Sequence, residues 1–300
     1  MDRQHYIRTI VSILERNCFS VAYVERLRSC FDIMAEKGGR ILIIKFVKNI
    51  DAVTAAEANA LKKLAGFFGA ETFIVGVFRK SLKLESGVRF SRHGIPCMSI
   101  DSIDTVIFRK RLAIAERFIG AKYMVDRDVI RKLRQISGLS IKRFAAETKI
   151  SKDSIYRYEK GGAYATYSNL HKLENFFYEA VSEKSRIEPV WTDDQKTEVI
   201  MDHVGHSLLF MRIEAAPFEM VGKGRFRYEA GRQTNQRTMV KWSILYSEIA
   251  DILKNDYPFF IAEGKNSPKR VGRIPSVSRS ELGSVGNEEE LIALVSANMK

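Results

Sequence analysis

Residues 139–161, LSIKRFAAETKISKDSIYRYEKG, carry the polar side chains whose types and spacing predict a specific chemistry. Ser140 and Ser151 are of the residue type that caps helix N-termini, and each stands before a stretch that can form a short helix. The second stretch offers hydroxyl, ammonium, carboxylate and guanidinium groups, which can exchange hydrogen bonds with base edges in the major groove of DNA. We therefore expect this stretch to read duplex DNA.

Two sets of DNA contacts follow from this motif. Side chains near the N-terminus of the second helix reach base edges when that helix lies in the major groove. The predicted base contacts are Ser151, Lys152, Asp153, Ser154 and Arg157. Cations and hydroxyls around the same helix lie at the height of the phosphates. The predicted backbone contacts are Ser140, Lys142, Arg143, Lys149 and Lys160.

A helix before the motif and a helix after it are needed to hold these side chains in position. An apolar stripe at helical spacing predicts the preceding helix, and Gly138 is placed to end it. The stripe consists of Val129, Ile130, Leu133 and Ile136. A closing helix is expected from Ser168, so the unit spans residues 127–177.

Five positions within the motif predict which faces of its helices are buried. Phe144 and Ala145 supply the inward face of the first short helix, and the small Ala145 lets the next helix cross closely. Ile150 anchors the turn between them. Ile155 and Tyr158, at positions i and i+3, point inward from the second helix.

These residues together resemble the Cro/C1-type helix-turn-helix. The resemblance is carried by Leu139, Ser140, Ala145, Ile150, Ser151, Ile155, Tyr158, Glu159 and Gly161. Two positions depart from the pattern, because Ile141 stands where a glutamine often contacts phosphate and Lys149 replaces the usual glycine of the turn. A unit of this shape that serves protein contacts alone is the alternative interpretation.

The chain as a whole resembles a family of archaeal transcriptional regulators of this class. The similar segments are the opening MDRQHYIRTIVSIL, the strand-like FDIMAEK and the late SRSELGSV. This resemblance implies regulation of transcription, and it identifies neither the operator sequence nor a small-molecule effector.

The first hundred residues predict an α/β domain with the order helix, three strands, helix, strand. The expected elements are an amphipathic helix from Tyr6 to Leu14, extended segments at 19–25, 30–35 and 40–47, a helix within 51–68 and a strand at 72–77. Gly38 and Gly39 can supply the positive φ of a hairpin turn, and Gly69 can end the second helix.

Asp32 and Lys45 raise the question of catalysis in this domain. The order of elements resembles the core of restriction-endonuclease-like nucleases, in which an Asp and a Glu-x-Lys on adjacent strands hold a divalent metal. Asp32 and Lys45 match that pattern, but Ile43 occupies the Glu position. We predict no catalytic residue, no metal, no cofactor and no enzymatic activity, and interpret Lys45 as a lysine at a strand edge. A metal-dependent nuclease targeted by the helix-turn-helix is the alternative function.

The C-terminal third repeats the pattern of the first. Phe31-Asp32-Ile33-Met34 matches Phe218-Glu219-Met220-Val221, a shift of 187 positions from residue 31 to residue 218. The helix and strand that end at Val75 match those that end at Ile261, and RFRYEAGR stands where ILIIKF is expected. A chance likeness between any helix followed by a buried strand is the alternative to a duplication.

The expected fold is therefore a pair of α/β flanking domains, duplicated and of restriction-endonuclease-like topology, around an all-α Cro/C1-type unit. We predict an N-terminal domain at 1–108, a connector at 109–125, a DNA-binding domain at 126–182 and a C-terminal domain at 188–300. An isolated helix of this type reads few bases, so we expect a homodimer on two half-sites.

Charge and cysteine content indicate the kind of partner and the cellular compartment of the molecule. The net charge is +13 and the pI is near 9.6, and residues 122–160 hold eleven Lys and Arg against five Asp and Glu. This distribution favours a polyanionic partner. Three widely spaced cysteines predict neither disulfides nor a zinc site, and the chain has no long apolar run. A soluble, cytoplasmic protein without membrane contact is expected, and an adaptor that binds other proteins is a further alternative.

Overall fold

A computed structural model provides the structure of the chain. It describes residues 2–24, 29–104, 107, 111–116, 122–177, 184–186, 209–213, 217–223, 225–232, 235–254, 256–262 and 268–298. The chain divides into two units. The first contains Met1–Lys80, His93–Ile95 and Glu188–Lys300, and the second contains Ser81–Arg92 and Pro96–Ile187. The start of the predicted C-terminal domain, at 188–208, lies outside the described residues.

The N-terminal α/β copy has the predicted order of elements. These are α1 (Arg3–Arg16), β1 (Ser20–Tyr23), β2 (Ile33–Lys37), β3 (Arg40–Asn49), α2 (Ala55–Phe68) and β4 (Glu71–Arg79). Strands β1, β2 and β3 are antiparallel neighbours, and β4 lies parallel to β3. Gly38 and Gly39 take φ values of 58° and 83° in the hairpin turn, and Gly69 ends α2 in the left-handed conformation.

The second unit combines short strands with the predicted helical motif. Its elements are β5 (Leu82–Lys83), β6 (Val88–Arg92), β7 (Ile95–Ser99), β8 (Arg111–Glu116), β9 (Lys122–Met124), α3 (Arg127–Ile136), α4 (Ile141–Thr148), α5 (Lys152–Lys160), β10 (Tyr164–Thr166), α6 (Tyr167–Phe177) and β11 (Lys184–Arg186). Strands β9 and β10 pair antiparallel, which joins the two ends of the segment that contains α3, α4 and α5. The predicted connector at 109–125 thus contains strands, and the helical unit includes the short strand β10.

The C-terminal copy returns to the α/β pattern. Its elements are β12 (Leu209–Arg212), β13 (Met220–Lys223), β14 (Arg227–Arg232), α7 (Gln236–Leu253), β15 (Asp256–Ala262), β16 (Arg270–Val271), β17 (Ile274–Ser278), α8 (Arg279–Ser284) and α9 (Glu288–Ala297). Its sheet runs in the order β12, β13, β14, β15, β17, β16. Strands β12, β13 and β14 are antiparallel neighbours, whereas β15 is parallel to both β14 and β17.

The two α/β copies share the same strand topology and register. In both copies three antiparallel strands lead to a helix and then to a strand parallel to the third. The amide of Asp32 donates to the carbonyl of Ile44 at 2.8 Å, and that of Glu219 donates to the carbonyl of Ala230 at 2.7 Å. Glu219 is therefore the counterpart of Asp32, and Ala230 is the counterpart of Ile44.

The two copies also pack together within the first unit. Helix α7 of the second copy lies against β1 and β2 of the first. The guanidinium of Arg227 lies over the ring of Phe68, with 5.6 Å between the guanidinium carbon and the ring centroid. Helix α7 thus contacts strands of both copies, because it also lies against β15, β16 and β17.

Two predictions about individual side chains need correction. Lys45 lies on β3, which pairs with a strand on both sides, so it is an interior lysine and not one at a strand edge. Ile136 is 72% exposed at the end of α3, whereas Ile130 is fully buried. Six residues separate them, which turns the helix by about 240° beyond one full rotation and carries Ile136 away from the core.

No helix among the described residues is long and apolar enough to cross a membrane. The three cysteines are thiols, with Cys30 and Cys97 buried and Cys18 exposed. Burial raises the pKa of the Cys30 thiol to about 12, so this side chain stays protonated at neutral pH.

Candidate nucleic-acid interface

Each of the three helices α3, α4 and α5 begins at a side-chain cap. Asp126, Ser140 and Ser151 each accept hydrogen bonds from backbone amides two or three residues later. A cap of this kind stabilises a helix by about 1 kcal/mol because it satisfies an amide that has no partner within the helix. The caps that the sequence predicted at Ser140 and Ser151 are present.

The buried face of the motif also follows the prediction. Phe144 and Ile155 are fully buried, and Tyr158 is 4% exposed. The ring of Phe144 packs against that of Phe177 on the closing helix α6, with 5.1 Å between the ring centroids. The inner faces of α4 and α5 are thus buried, whereas Lys152, Asp153 and Arg157 of α5 are exposed to solvent.

An ion pair between Arg134 and Glu159 joins α3 to α5. The Arg134 guanidinium donates to both carboxylate oxygens of Glu159 and, at 2.7 Å, to the carbonyl of Leu139. The hydrogen bond to Glu159 raises the pKa of Arg134. A bidentate pair with low exposure fixes orientation as well as distance. It therefore sets the angle at which α5 is presented.

The turn between α4 and α5 contains Lys149 in the left-handed conformation, with φ of 52° and ψ of 40°. A residue with a side chain is disfavoured there, which is why a glycine is usual at this position. The carbonyl of Lys149 accepts a hydrogen bond from the ammonium of Lys172 at 3.2 Å. Its own side chain is exposed next to the start of α5.

The structure brings three of the five predicted base contacts together along α5. The hydroxyls of Ser151 and Ser154 are 2.8 Å apart, and the guanidinium of Arg157 donates to the Ser154 hydroxyl at 3.5 Å. Lys152 and Asp153 are exposed on the first turn of the helix. The serines therefore cap the helix and orient Arg157, while the charged groups face solvent.

The predicted backbone contacts surround this helix. Lys142, Arg143, Lys149 and Lys160 are exposed, as is the capping Ser140. Arg143 has Glu147 one turn away, with 3.9 Å between its Nε and a carboxylate oxygen. An exposed pair at this distance is weak, so a phosphate can compete for the guanidinium.

Tyr156 is a candidate contact that the predicted base contacts omit. It lies on α5 between Ile155 and Arg157, and it is 56% exposed. A large aromatic ring that stays exposed on a helix whose core face is complete offers an apolar surface to a thymine methyl group. The feature of the sequence that indicated it is the position of Tyr156 on the side of the helix opposite Ile155 and Tyr158.

A second cluster of charged side chains lies in the N-terminal copy. The Asp32 carboxylate is fully buried and accepts from the guanidinium of Arg3 and, at 2.8 Å, from the amide of Phe46. The Lys45 ammonium lies 3.8 Å from the Oδ2 atom of Asp32, and it donates a hydrogen bond to the carbonyl of Ser29. Asp32 and Lys45 are thus adjacent, as the nuclease resemblance implied.

This cluster does not fit a divalent metal ion. Ile43 is fully buried at the position where such a site needs a carboxylate, and the Asp32 oxygens already face two cations. Among the residues that the structure describes, no group of three His, Cys, Asp or Glu side chains is arranged to hold a metal.

Two segments of the chain match models of known protein families. Residues 130–177 match the model of a helix-turn-helix family, and residues 3–113 match that of a PD-(D/E)XK superfamily domain. The first match covers α3 to α6, and the second includes α1, α2 and β1 to β4.

The chain is also similar along nearly its whole length to archaeal proteins provisionally named as HTH-type transcriptional regulatory proteins. One from Thermococcus kodakarensis is 29% identical, with 98% of this chain and 96% of the relative aligned. One from Pyrococcus furiosus is 27% identical over 98% of each chain. One from Methanothermobacter thermautotrophicus is 26% identical over 98% of this chain and 96% of the relative.

Proposed function

We propose that this chain, which contains a helix-turn-helix and is similar throughout to archaeal proteins named for transcriptional regulation, is itself a regulator that binds a specific sequence of duplex DNA. The observation that carries the proposal is the polar, solvent-facing surface of α5 on a completed helix-turn-helix core. The match at residues 130–177 and the names of the relatives agree with it.

The proposed binding mode places α5 in the major groove. Lys152, Asp153 and Arg157 contact bases, and the hydroxyls of Ser151 and Ser154 reach bases or hold Arg157. Ser140, Lys142, Arg143, Lys149 and Lys160 contact the phosphates on either side. Base contacts then determine which sequence binds, while phosphate contacts fix the orientation of the helix.

A homodimer is part of this proposal. One recognition helix presents only about three or four side chains to base edges, which specifies a site poorly, whereas two copies related by a twofold axis read a palindromic site. We assign the protein to the cytoplasm, where an archaeal regulator meets chromosomal DNA. The resemblance does not indicate an effector, and the proposal includes none.

We further propose that the chain acts as a regulator and not as an enzyme. The PD-(D/E)XK match names a nuclease superfamily, and the matched segment contains Asp32 and Lys45. Ile43 in place of the carboxylate is the feature that argues against hydrolysis. Incubation of the full chain with plasmid and Mg²⁺ or Mn²⁺ is expected to leave the plasmid intact. Cleavage that Asp32→Ala abolishes would show that the chain is a nuclease.

Selection from a pool of random duplexes tests the DNA-binding proposal. The full chain is expected to enrich one family of sequences, and a variant with both Lys152→Ala and Arg157→Ala is expected to lose that enrichment. Failure of any duplex family to emerge would contradict the proposal and would favour an adaptor that binds other proteins. Mapping of bound sites across a genome then identifies the regulated genes.

A further inference from the structure

The positive charges that face the Asp32 carboxylate come from side chains of the chain itself and not from a metal ion bound from solution. Asp32 is fully buried, and a buried carboxylate requires compensating charge and hydrogen bonds. Its Oδ1 pairs with the guanidinium of Arg3, and its Oδ2 accepts from the amide of Phe46 and lies 3.8 Å from the ammonium of Lys45. The carboxylate is therefore neutralised from within the chain.

Arg3 is the unexpected member of this cluster. It is the first residue of α1 and lies 29 positions before its partner, and its side chain remains 40% exposed. A divalent ion bound to Asp32 would meet the positive charges of both Arg3 and Lys45 at close range. Ile43, on the same face of β3 as Lys45, offers no carboxylate that would offset this repulsion.

The second copy differs from the nuclease pattern at a different position. Since Glu219 corresponds to Asp32 and Ala230 to Ile44, the register places Glu229 at the position of Ile43 and Gly231 at the position of Lys45. The parallel strands agree, because Ile44 pairs with Phe73 and Ala230 pairs with Phe259. The second copy thus retains two carboxylates and lacks the lysine.

Tyr246 of α7 occupies the space that a side chain at position 231 would take. A Cβ added to Gly231 would lie 2.2 Å from the Tyr246 hydroxyl oxygen. That hydroxyl donates to the carbonyl of Pro217, and the ring stacks on Phe260 with 5.2 Å between centroids. The lysine position of the second copy is therefore filled by a fixed aromatic side chain.

We propose that side chains of the chain itself occupy the nuclease-like positions of both copies, and that in the first copy they take the place of a metal ion. Arg3 and Lys45 neutralise Asp32 in the first copy, and Tyr246 fills the lysine position in the second. The strands that carry Asp32 and Glu229 serve as structural cores, and the first copy binds no divalent ion at Asp32. This inference concerns the α/β copies and does not depend on DNA binding by α5.

Titration of the full chain with Mn²⁺, followed by electron paramagnetic resonance, tests the first copy directly. The wild-type chain is expected to show no saturable site that depends on Asp32, and Mn²⁺ should leave its thermal midpoint unchanged. Saturable binding that Asp32→Asn abolishes, in a variant with the circular dichroism of the wild type, would overturn the proposal. DNA selection on the same preparation reports separately on the helix-turn-helix.

A gain of metal binding tests the roles of Arg3 and Ile43. The double variant Arg3→Gln, Ile43→Glu removes a cation and restores the carboxylate, so it is expected to bind Mn²⁺ saturably. Adding Asp32→Asn removes a carboxylate ligand and should abolish this saturable binding. The matched control is Arg16→Gln with Ile43→Glu, which keeps Arg3 and changes an exposed arginine of the same helix. A folded double variant that does not bind Mn²⁺ saturably would contradict the roles assigned to Arg3 and Ile43.

Arg3→Gln alone keeps the inference testable if the buried glutamate prevents folding. Loss of this cation leaves Asp32 less compensated, so the thermal midpoint should fall further than in Arg16→Gln. Equal midpoints for the two single variants would show that Arg3 does not neutralise Asp32.

Discussion

Arg157 is the side chain on which specific recognition depends in the proposed complex. It is exposed on α5 and its guanidinium is oriented by the Ser154 hydroxyl. Arg157→Ala is expected to weaken binding to the selected duplex by about 1 to 3 kcal/mol, since a contact with base edges is lost. Fluorescence anisotropy at fixed salt measures the change. Arg131→Ala, which removes an exposed arginine of α3, serves as the control. Equal affinity of the Arg157 variant for the selected site would rule out this docking.

Lys149 combines a backbone role with a charge role, and two variants separate them. Both Lys149→Ala and Lys149→Gly remove the proposed phosphate contact, so each should weaken binding to all duplexes alike and lower the slope of affinity against salt concentration by about one. Only glycine accepts the φ of 52° without strain, so Lys149→Gly should be more stable than Lys149→Ala by about 1 kcal/mol. Salt titration and urea denaturation provide the two measurements. A salt slope equal to that of the wild type would show that Lys149 does not contact the DNA backbone.

At the scale of elements, the Arg134 and Glu159 pair determines how α5 sits on α3. Arg134→Met should destabilise the helical motif by about 3 kcal/mol, because the Glu159 carboxylate loses its partner in a poorly solvated place. Hydrogen exchange of the α3 and α5 amides reports this local loss. Arg143→Ala breaks the exposed pair with Glu147 and should cost about 0.5 kcal/mol or less. Similar exchange rates in the two variants would contradict the structural role of Arg134.

The packing of α7 on β14 gives a second prediction at this scale. Gly231→Ala should destabilise the chain by about 1 to 3 kcal/mol, because the added methyl group overlaps the Tyr246 ring. Gly66→Ala, in helix α2 with open space around its Cα, should instead stabilise by about 0.5 to 1 kcal/mol. Urea denaturation compares the two variants. If Gly231→Ala were tolerated as well as Gly66→Ala, Tyr246 would not fill the lysine position.

At the scale of the whole molecule, the proposed homodimer predicts the form of the operator. The selected duplex should contain an inverted repeat whose half-sites lie about 10 base pairs apart, centre to centre, or a multiple of that spacing. Sedimentation of the chain on this duplex should give two chains per site. A selected sequence without internal symmetry, bound by one chain, would contradict the dimer.

The organisation of the whole molecule also shows which contacts join distant parts of the sequence. The two α/β copies are separated by the helical motif along the chain, yet both belong to the first unit, where α7 packs on β1 and β2. The domain boundaries at 1–108, 126–182 and 188–300 remain a proposal. Limited proteolysis of the full chain tests them.

The sequence by itself determined the features that depend on local interactions. Helical periodicity predicted the closed core around Phe144 and Ile155, and cap residues predicted the starts of α4 and α5. The repeat was visible because equivalent strands kept their order and spacing. Tyr156 was also visible, on the face opposite the core, although it was not chosen as a base contact.

The tertiary structure decided the features that depend on register and on partners far apart in sequence. Nothing local links Arg3 to Asp32, or Gly231 to Tyr246, because these pairs meet only when a helix packs on the sheet. Strand pairing likewise assigned Glu229 to the position of Ile43, since a shift of one residue would turn it to the other face. A sequence pattern names the candidate side chains, whereas long-range packing determines which charges meet and therefore which chemistry remains.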